Sequence, residues 1–371
     1  MAENGRVPLA APWTGDDELA EIGAVLASGQ LSQGPKVEEF EAMVAAVTGS
    51  RYAFAASSCT TAMHLALVAL GIGAGDEVLV PDFTFPATAN VVVQQGAVPV
   101  LVDVQPDTYN VEPVDLKRHL TGRTRAIMPV HLFGLSADLE PCMEFAREHG
   151  LAVLEDAACA LGATYNGRPC GSVGDVGCFS FHPRKVITTG EGGMVVTDDD
   201  ALAERLQLFR SHGGVRAGGR FAFTEAGFNY RLSDVHAAMG VAQMRRLPEI
   251  VARRRRLAAA LTGRLAGIPG VTPPAEPAWG GHIFQAYVTV LDDGIDRDRA
   301  IARLRELGIE STIGTYALHT ESFFRRTYGY DAGQLPASAR LARQSLALPL
   351  FPTMTETEVD RVAGGLAAVL R

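Results

Sequence analysis

Between residues 52 and 196 short apolar runs alternate with amphipathic helical patterns, and that alternation leaves the chain few architectures to choose from. The runs are Val78-Leu79-Val80 and residues 98–102, 126–130, 152–154 and 194–197. Helical patterns such as 60–70 and 138–148 lie between them. Short buried strands, each separated from the next by a helix, predict an α/β fold with a mostly parallel sheet. Helical patterns at 16–28 and 37–47 precede this region. Helical segments continue to Arg246, after which a long helix-like stretch to Leu265 leads into a Pro/Gly-rich joint at 267–281. Strand-like 286–291, a helix at 296–307 and a last helix at 355–370 read as a smaller α+β domain. The expected division is therefore a large domain at 1–250, which includes the N-terminal segment, and a small one at 251–371.

Charge and cysteine content remove several function classes. With 33 basic against 42 acidic residues the net charge is −9, so no global basic field exists for nucleic acid. No apolar run reaches membrane-spanning length, and the first six residues lack a signal-peptide pattern, so a cytoplasmic location is expected. The five cysteines are scattered without zinc-ligand spacing, so neither a disulfide framework nor a metal site is expected. The basic run Arg253-Arg254-Arg255-Arg256 reads as a solvated or interface helix face. Only three lysines are present, Lys36, Lys117 and Lys185, and chemistry that needs an amine must use one of them.

Four segments carry candidate chemistry. Asp156 lies just past a buried strand, where open α/β sheets hold ligands. An acid there binds a metal, caps the next helix or pairs with a cationic ligand nitrogen. In Phe179-Ser180-Phe181-His182-Pro183-Arg184-Lys185 the lysine sits in a turn between aromatic residues and the glycine-rich 190–193. Desolvation there is expected to lower its pKa, as a covalent amine nucleophile requires. In Ser57-Ser58-Cys59-Thr60-Thr61 a strand gives way to a helix, which makes either a plain Ser/Thr cap or an anion site. Phe85 follows another strand, as core or as a stacking platform for a flat ring. A phosphate cradle, an aromatic plate, a carboxylate and an amine are together what pyridoxal 5'-phosphate (PLP) requires.

The stretch Ser180-Phe181-His182-Pro183-Arg184-Lys185, with Gly190-Glu191-Gly192-Gly193 behind it, is highly specific. Together with Leu31-Ser32-Gln33-Gly34-Pro35, residues 71–78, His131-Leu132-Phe133-Gly134 with Asp138, Glu155-Asp156-Ala157-Ala158, residues 227–232 and Leu346-Ala347-Leu348-Pro349, it resembles the DegT/StrS family of PLP-dependent sugar aminotransferases over nearly the whole chain. The resemblance implies PLP fold type I, with a mostly parallel, seven-stranded-type sheet in the PLP-binding large domain. It implies that Lys185 holds PLP covalently and moves protons, that Asp156 pairs with the ring nitrogen, and that Phe85 stacks on the ring. Ser58, Cys59, Thr60 and Ser180 surround the phosphate, and Asn229 reaches the cofactor of a neighbouring subunit in a homodimer. Cys159 replaces the Gln or His frequent in relatives near the cofactor's phenolic oxygen. Arg184, Arg231, Tyr316 and His319 are expected near the substrate. The implied reaction moves an amino group from L-glutamate or glutamine to a nucleoside-diphosphate-linked keto sugar. A cyclitol ketone acceptor, an aminodehydratase of antibiotic biosynthesis and a non-catalytic PLP-binding regulator are the alternatives.

Overall fold

The computed structural model describes residues 5–217 and 219–371. Its centre is a seven-stranded sheet built from β1 (Tyr52–Ala56), β2 (Glu77–Pro81), β3 (Val98–Val102), β4 (Thr124–Ile127), β5 (Ala152–Asp156), β6 (Val176–Ser180) and β7 (Gly193–Thr197). The spatial order is β1-β7-β6-β5-β4-β2-β3. Every neighbouring pair is parallel except those of β7, which runs against both β1 and β6. Strands β2 and β7 are buried along their whole length, which is why they read as unbroken apolar runs rather than alternating ones. The carboxyl ends of β1, β2, β5 and β6 lie at one edge of the sheet, where the candidate residues cluster. Helix α1 (Asp16–Ser28) and helix α2 (Pro35–Thr48) pack on the long helix Asp234–Leu265. Helix α3 (Cys59–Leu70) packs under the sheet, with Leu65, Ala66 and Leu67 fully buried.

The chain's C-terminal part forms a second, all-antiparallel sheet of four strands, in the order Val271–Thr272, Tyr287–Leu291, Ser345–Leu348, Thr312–Ile313. Its core contains Leu257, Leu261 and Leu265 from the long helix and Val359, Val362 and Leu366 from the last helix, Glu356–Val369. Val7 forms an isolated parallel bridge with Ile309 and also belongs to this core, so the N-terminal segment returns to the C-terminal part. The long helix is one continuous element of 32 residues that passes through Pro248, where the sequence pattern shows a change. We propose that the boundary near residue 250 lies inside it.

The reading of the Arg253–Arg256 run is corrected at Arg254. Arg253 stacks over Trp13 at 4.3 Å and bridges Glu249. Arg254, one position on, is buried and donates to the carbonyls of Phe284, Gln285 and Leu350 at 3.1–3.2 Å. Burial lowers its pKa to about 10. Helical geometry turns successive residues by about 100°, so a charge run cannot keep one environment. All five cysteines are free, and no helix among the described residues is long and apolar enough to cross a membrane.

Candidate active site

Where β1 ends, Ser58 caps α3. Its hydroxyl oxygen accepts from the Thr61 backbone N–H at 3.1 Å, and the Thr61 hydroxyl accepts from the Ser58 N–H at 3.0 Å. No acceptor among the described residues meets the N–H groups of Cys59 and Thr60, which open the first turn. Cap and anion cradle, alternatives in the sequence, thus coexist: one hydroxyl closes the cap while two first-turn N–H groups stay available to an anion. Gly193 permits this packing, since a Cβ there would fall 2.4 Å from Ser58 backbone atoms.

At the end of β5 adjacent carboxylates take opposite faces, as a strand requires. Asp156 is buried; its Oδ2 accepts from the Thr88 hydroxyl at 2.8 Å and its Oδ1 from the Ala158 N–H at 3.1 Å. Thr88 in turn meets Thr84 at 3.0 Å. Glu155 points away, fully buried, and accepts from His131 Nε2 at 2.7 Å and from the N–H groups of Gly171, Val173 and Gly174 at 2.6–2.7 Å. Burial alone would raise its pKa, but the His131 bond and these N–H groups lower it, so Glu155 is ionised and structural.

Past β6 the chain turns sharply. The Lys185 N–H donates to the His182 carbonyl at 2.8 Å, and Phe181 and Thr189 close the loop through their backbones. The turn delivers Lys185 Nζ to 3.1 Å from Cys159 Sγ. The expected pKa direction is overturned here. Burial does pull Lys185 down and is the largest single effect, but Cys159, then Cys59 and Asp156, together pull harder and the net shift is upward. Of the other lysines, Lys36 is ion-paired to Glu21 and Glu39, and Lys117 is exposed on the helix Pro113–His119.

These elements enclose a cavity of about 640 Å³, within the range of small-molecule sites. Ser58, Cys59, Thr60, Phe85, Asp156, Cys159, Ser180, Arg184 and Lys185 all line it. Phe85 is 63% exposed, so it is a platform on the wall and not core, and the Tyr316 ring meets it edge-on at 6.5 Å. Tyr316 itself lies beside the lining rather than in it, although its neighbours Gly314 and Thr315 are part of the wall. His319 is not there: it is fully buried, bonded to Asp82, and does not line the cavity, because the short helix Leu318–Thr320 turns it inward. Asn229 and Arg231 lie outside this chain's cavity, with Arg231 Nε donating to Asn229 Oδ1 at 3.0 Å. Sequence reasoning missed Thr88, which holds Asp156, and Gln285, Thr312 and Thr315 on the opposite wall. The Thr84/Thr88 spacing on the approach to α4 (Ala87–Gln94) was the available signal; nothing local marked the other three.

The residues fit PLP: a buried carboxylate, a lysine amine, a flat exposed ring and a helix terminus with free N–H groups converge on one cavity. Fold and site together define a fold type I PLP-dependent aminotransferase. The DegT/DnrJ/EryC1/StrS aminotransferase family model matches residues 12–367, and the chain belongs to that family. GDP-perosamine synthase of Caulobacter vibrioides is 41% identical over 374 residues, covering 100% of both chains. The aminotransferase TlmJ from Streptoalloteichus hindustanus superposes with a TM-score of 0.93 at 36% identity, covering 99% of each chain. Spr1654 from Streptococcus pneumoniae, solved in its PLP form, gives 0.93 at 27% identity and 98% coverage of each.

Proposed function

We propose that this aminotransferase moves an amino group from L-glutamate or glutamine to a nucleoside-diphosphate-linked keto sugar, as a cytoplasmic homodimer. The observation that carries the reading is Arg184. It lies on the cavity wall beside Lys185, is exposed, and makes no ion pair among the described residues. An arginine left without a carboxylate at a ligand site suits a diphosphate, whose oxygens its planar fork matches. The net charge of −9 gives such a substrate no help from the overall field. The 41% identity to a protein named GDP-perosamine synthase favours the same acceptor class.

In this reading Lys185 would hold PLP through its amine, and that amine would also take a proton from the donor's amino-bearing carbon and return one. PLP, when bound, supplies an electron sink for the pair left by that C–H bond. Asp156, fixed by Thr88 and Ala158, keeps the ring nitrogen protonated. The first turn of α3, with Ser58, Cys59, Thr60 and Ser180, would hold the phosphate, and Phe85 would stack against the ring. Asn229 and Arg231 serve the partner subunit's site, and Tyr316 stands at the acceptor side.

The test is competition of TDP, UDP and GDP against the second half-reaction, with Arg184→Ala in parallel. Selective inhibition by one nucleotide, weakened about tenfold or more in Arg184→Ala, is the expected result. Efficient amination of a free cyclitol ketone with no nucleotide inhibition would replace this acceptor class with the alternative one.

A further inference from the structure

Asp82 follows the last residue of β2 and is fully buried, as is His319. The carboxylate binds the C-terminal segment at three points. Asp82 Oδ1 accepts from the His319 N–H at 2.6 Å, Oδ2 lies 2.6 Å from His319 Nδ1, and the Ser338 hydroxyl also donates to Oδ2. The Asp82 carbonyl accepts from the Leu318 N–H at 3.0 Å. Asp103, at the end of β3, accepts from the N–H groups of Ala337 and Ser338 and so anchors the helix Pro336–Gln344 beside the pair. Burial disfavours a charged His319, but the bond to Asp82 and its charge outweigh burial, with the Ala332 backbone and Asp103 adding to them, and hold the ring above the usual histidine range. Serine, histidine and aspartate are the residue types of a hydrolytic triad, yet here serine and histidine both engage the same aspartate oxygen. The cluster is a clamp, not a proton relay.

What the clamp holds is the cavity wall. Immediately beyond Asp82, Phe83 pairs with Ala317 and Thr84 with Tyr316. Phe85, Thr84, Gly314 and Thr315 line the cavity, the Thr84 hydroxyl meets Thr88, and Thr88 holds Asp156. We propose that Asp82 and His319 are a positioning pair that fixes the Phe85–Tyr316 wall and, through Thr84 and Thr88, the Asp156 carboxylate. The inference rests on the reading that Phe85 and Asp156 face the cofactor. His319 is a positioning residue; it touches no reacting atom.

The experiment uses the holoenzyme and reads the circular dichroism of the visible cofactor band, the PLP dissociation constant and the melting temperature. The variants are His319→Leu, His319→Asn, whose amide can replace the imidazole Nδ1–H, and Leu366→Ala, a cavity in the C-terminal core that supplies a control of lowered stability. His319→Leu is expected to at least halve the visible dichroism and to raise the PLP dissociation constant about tenfold, since small displacements in a preorganised site are costly. His319→Asn should return both to within about twofold of the parent. Leu366→Ala should lower the melting temperature and leave the band unchanged. If His319→Leu behaves like Leu366→Ala, with lowered melting temperature and parental band and affinity, the clamp is purely structural and the proposal fails. If His319→Leu does not accumulate as folded protein, Ser338→Ala carries the same test, and a parental band there overturns the proposal equally. Borohydride trapping in the parent separates the underlying reading: a label away from Lys185 removes the site assignment itself, whereas a label on Lys185 with unaltered variants removes the clamp alone.

Discussion

The Cys159–Lys185 contact favours the protonated amine of the lysine on the cavity wall, and its sign is testable. Burial favours the neutral amine, but Cys159 at 3.1 Å, Cys59 and Asp156 hold the proton on. A protonated amine does not attack a carbonyl, so covalent capture of PLP by the free protein should speed up as pH rises from 7 to 9. Cys159→Ala removes the largest of the opposing influences and should shift that rate profile to lower pH; stopped-flow absorbance checks it, and an unshifted profile would separate Cys159 from the lysine. Asp156 offers a second measurement at this scale. Asp156→Asn should leave the melting temperature close to the parent and slow the half-reaction with glutamate by about 10²–10³-fold, because a neutral amide cannot hold the ring proton. Near-parental single-turnover rates would refute the role. Both residues were readable in the sequence because each sits at an abrupt strand-to-loop change. The upward shift of Lys185 was not, since it depends on which side chains fold back onto the amine, and Cys159 is 26 positions away.

At the scale of elements, the turn at residues 171–174 owes its place to Glu155. Both its oxygens are used, by His131 and Gly171 on one side and Val173 and Gly174 on the other. Glu155→Gln puts an amide NH₂ against N–H donors, and its expected cost is about 3 kcal/mol, at the upper end for leaving buried hydrogen-bonding groups unsatisfied. Thermal unfolding reads this as a drop in melting temperature, and a change within experimental scatter would show that the turn stands without the charge. The same strand explains what sequence patterns can convey. Runs such as residues 98–102 and 194–197 are found as strands at Val98–Val102 and Gly193–Thr197, because short, mostly β-branched apolar runs bounded by turn residues mark strands of a largely buried sheet. The inward turn of His319 and the burial of Arg254 carry no such periodic signal; each is fixed by a contact distant in sequence, Asp82 in one case and the carbonyls of residues 284, 285 and 350 in the other.

For the whole molecule the proposed homodimer turns on the position of Asn229 and Arg231. Asn229 and Arg231 lie outside their own cavity, and the nearby hairpin of Gly214–Ala217 and Arg220–Phe223 leaves Val215 and Phe223 exposed, an apolar surface that suits a second copy of the chain. If Asn229 serves the partner's cofactor, Lys185→Ala and an Asn229→Ala chain should regain activity when co-assembled, since the mixed dimer holds one intact site. Tandem-tagged mixed dimers without activity would place Asn229 in its own chain's service.

The long helix Asp234–Leu265 spans roughly 48 Å at 1.5 Å per residue, with its first half against the central sheet and Leu257, Leu261 and Leu265 in the C-terminal core. A gene cut at the nominal boundary near residue 250 would sever this strut just past Pro248, parting its half on the central sheet from the half that carries Leu257, Leu261 and Leu265. The N-terminal bridge of Val7 to Ile309 would be lost to the small part. The two halves are therefore not separable cassettes: recombination with a relative can exchange the cavity's far wall only by carrying the latter half of the helix and the first residues of the chain along with it.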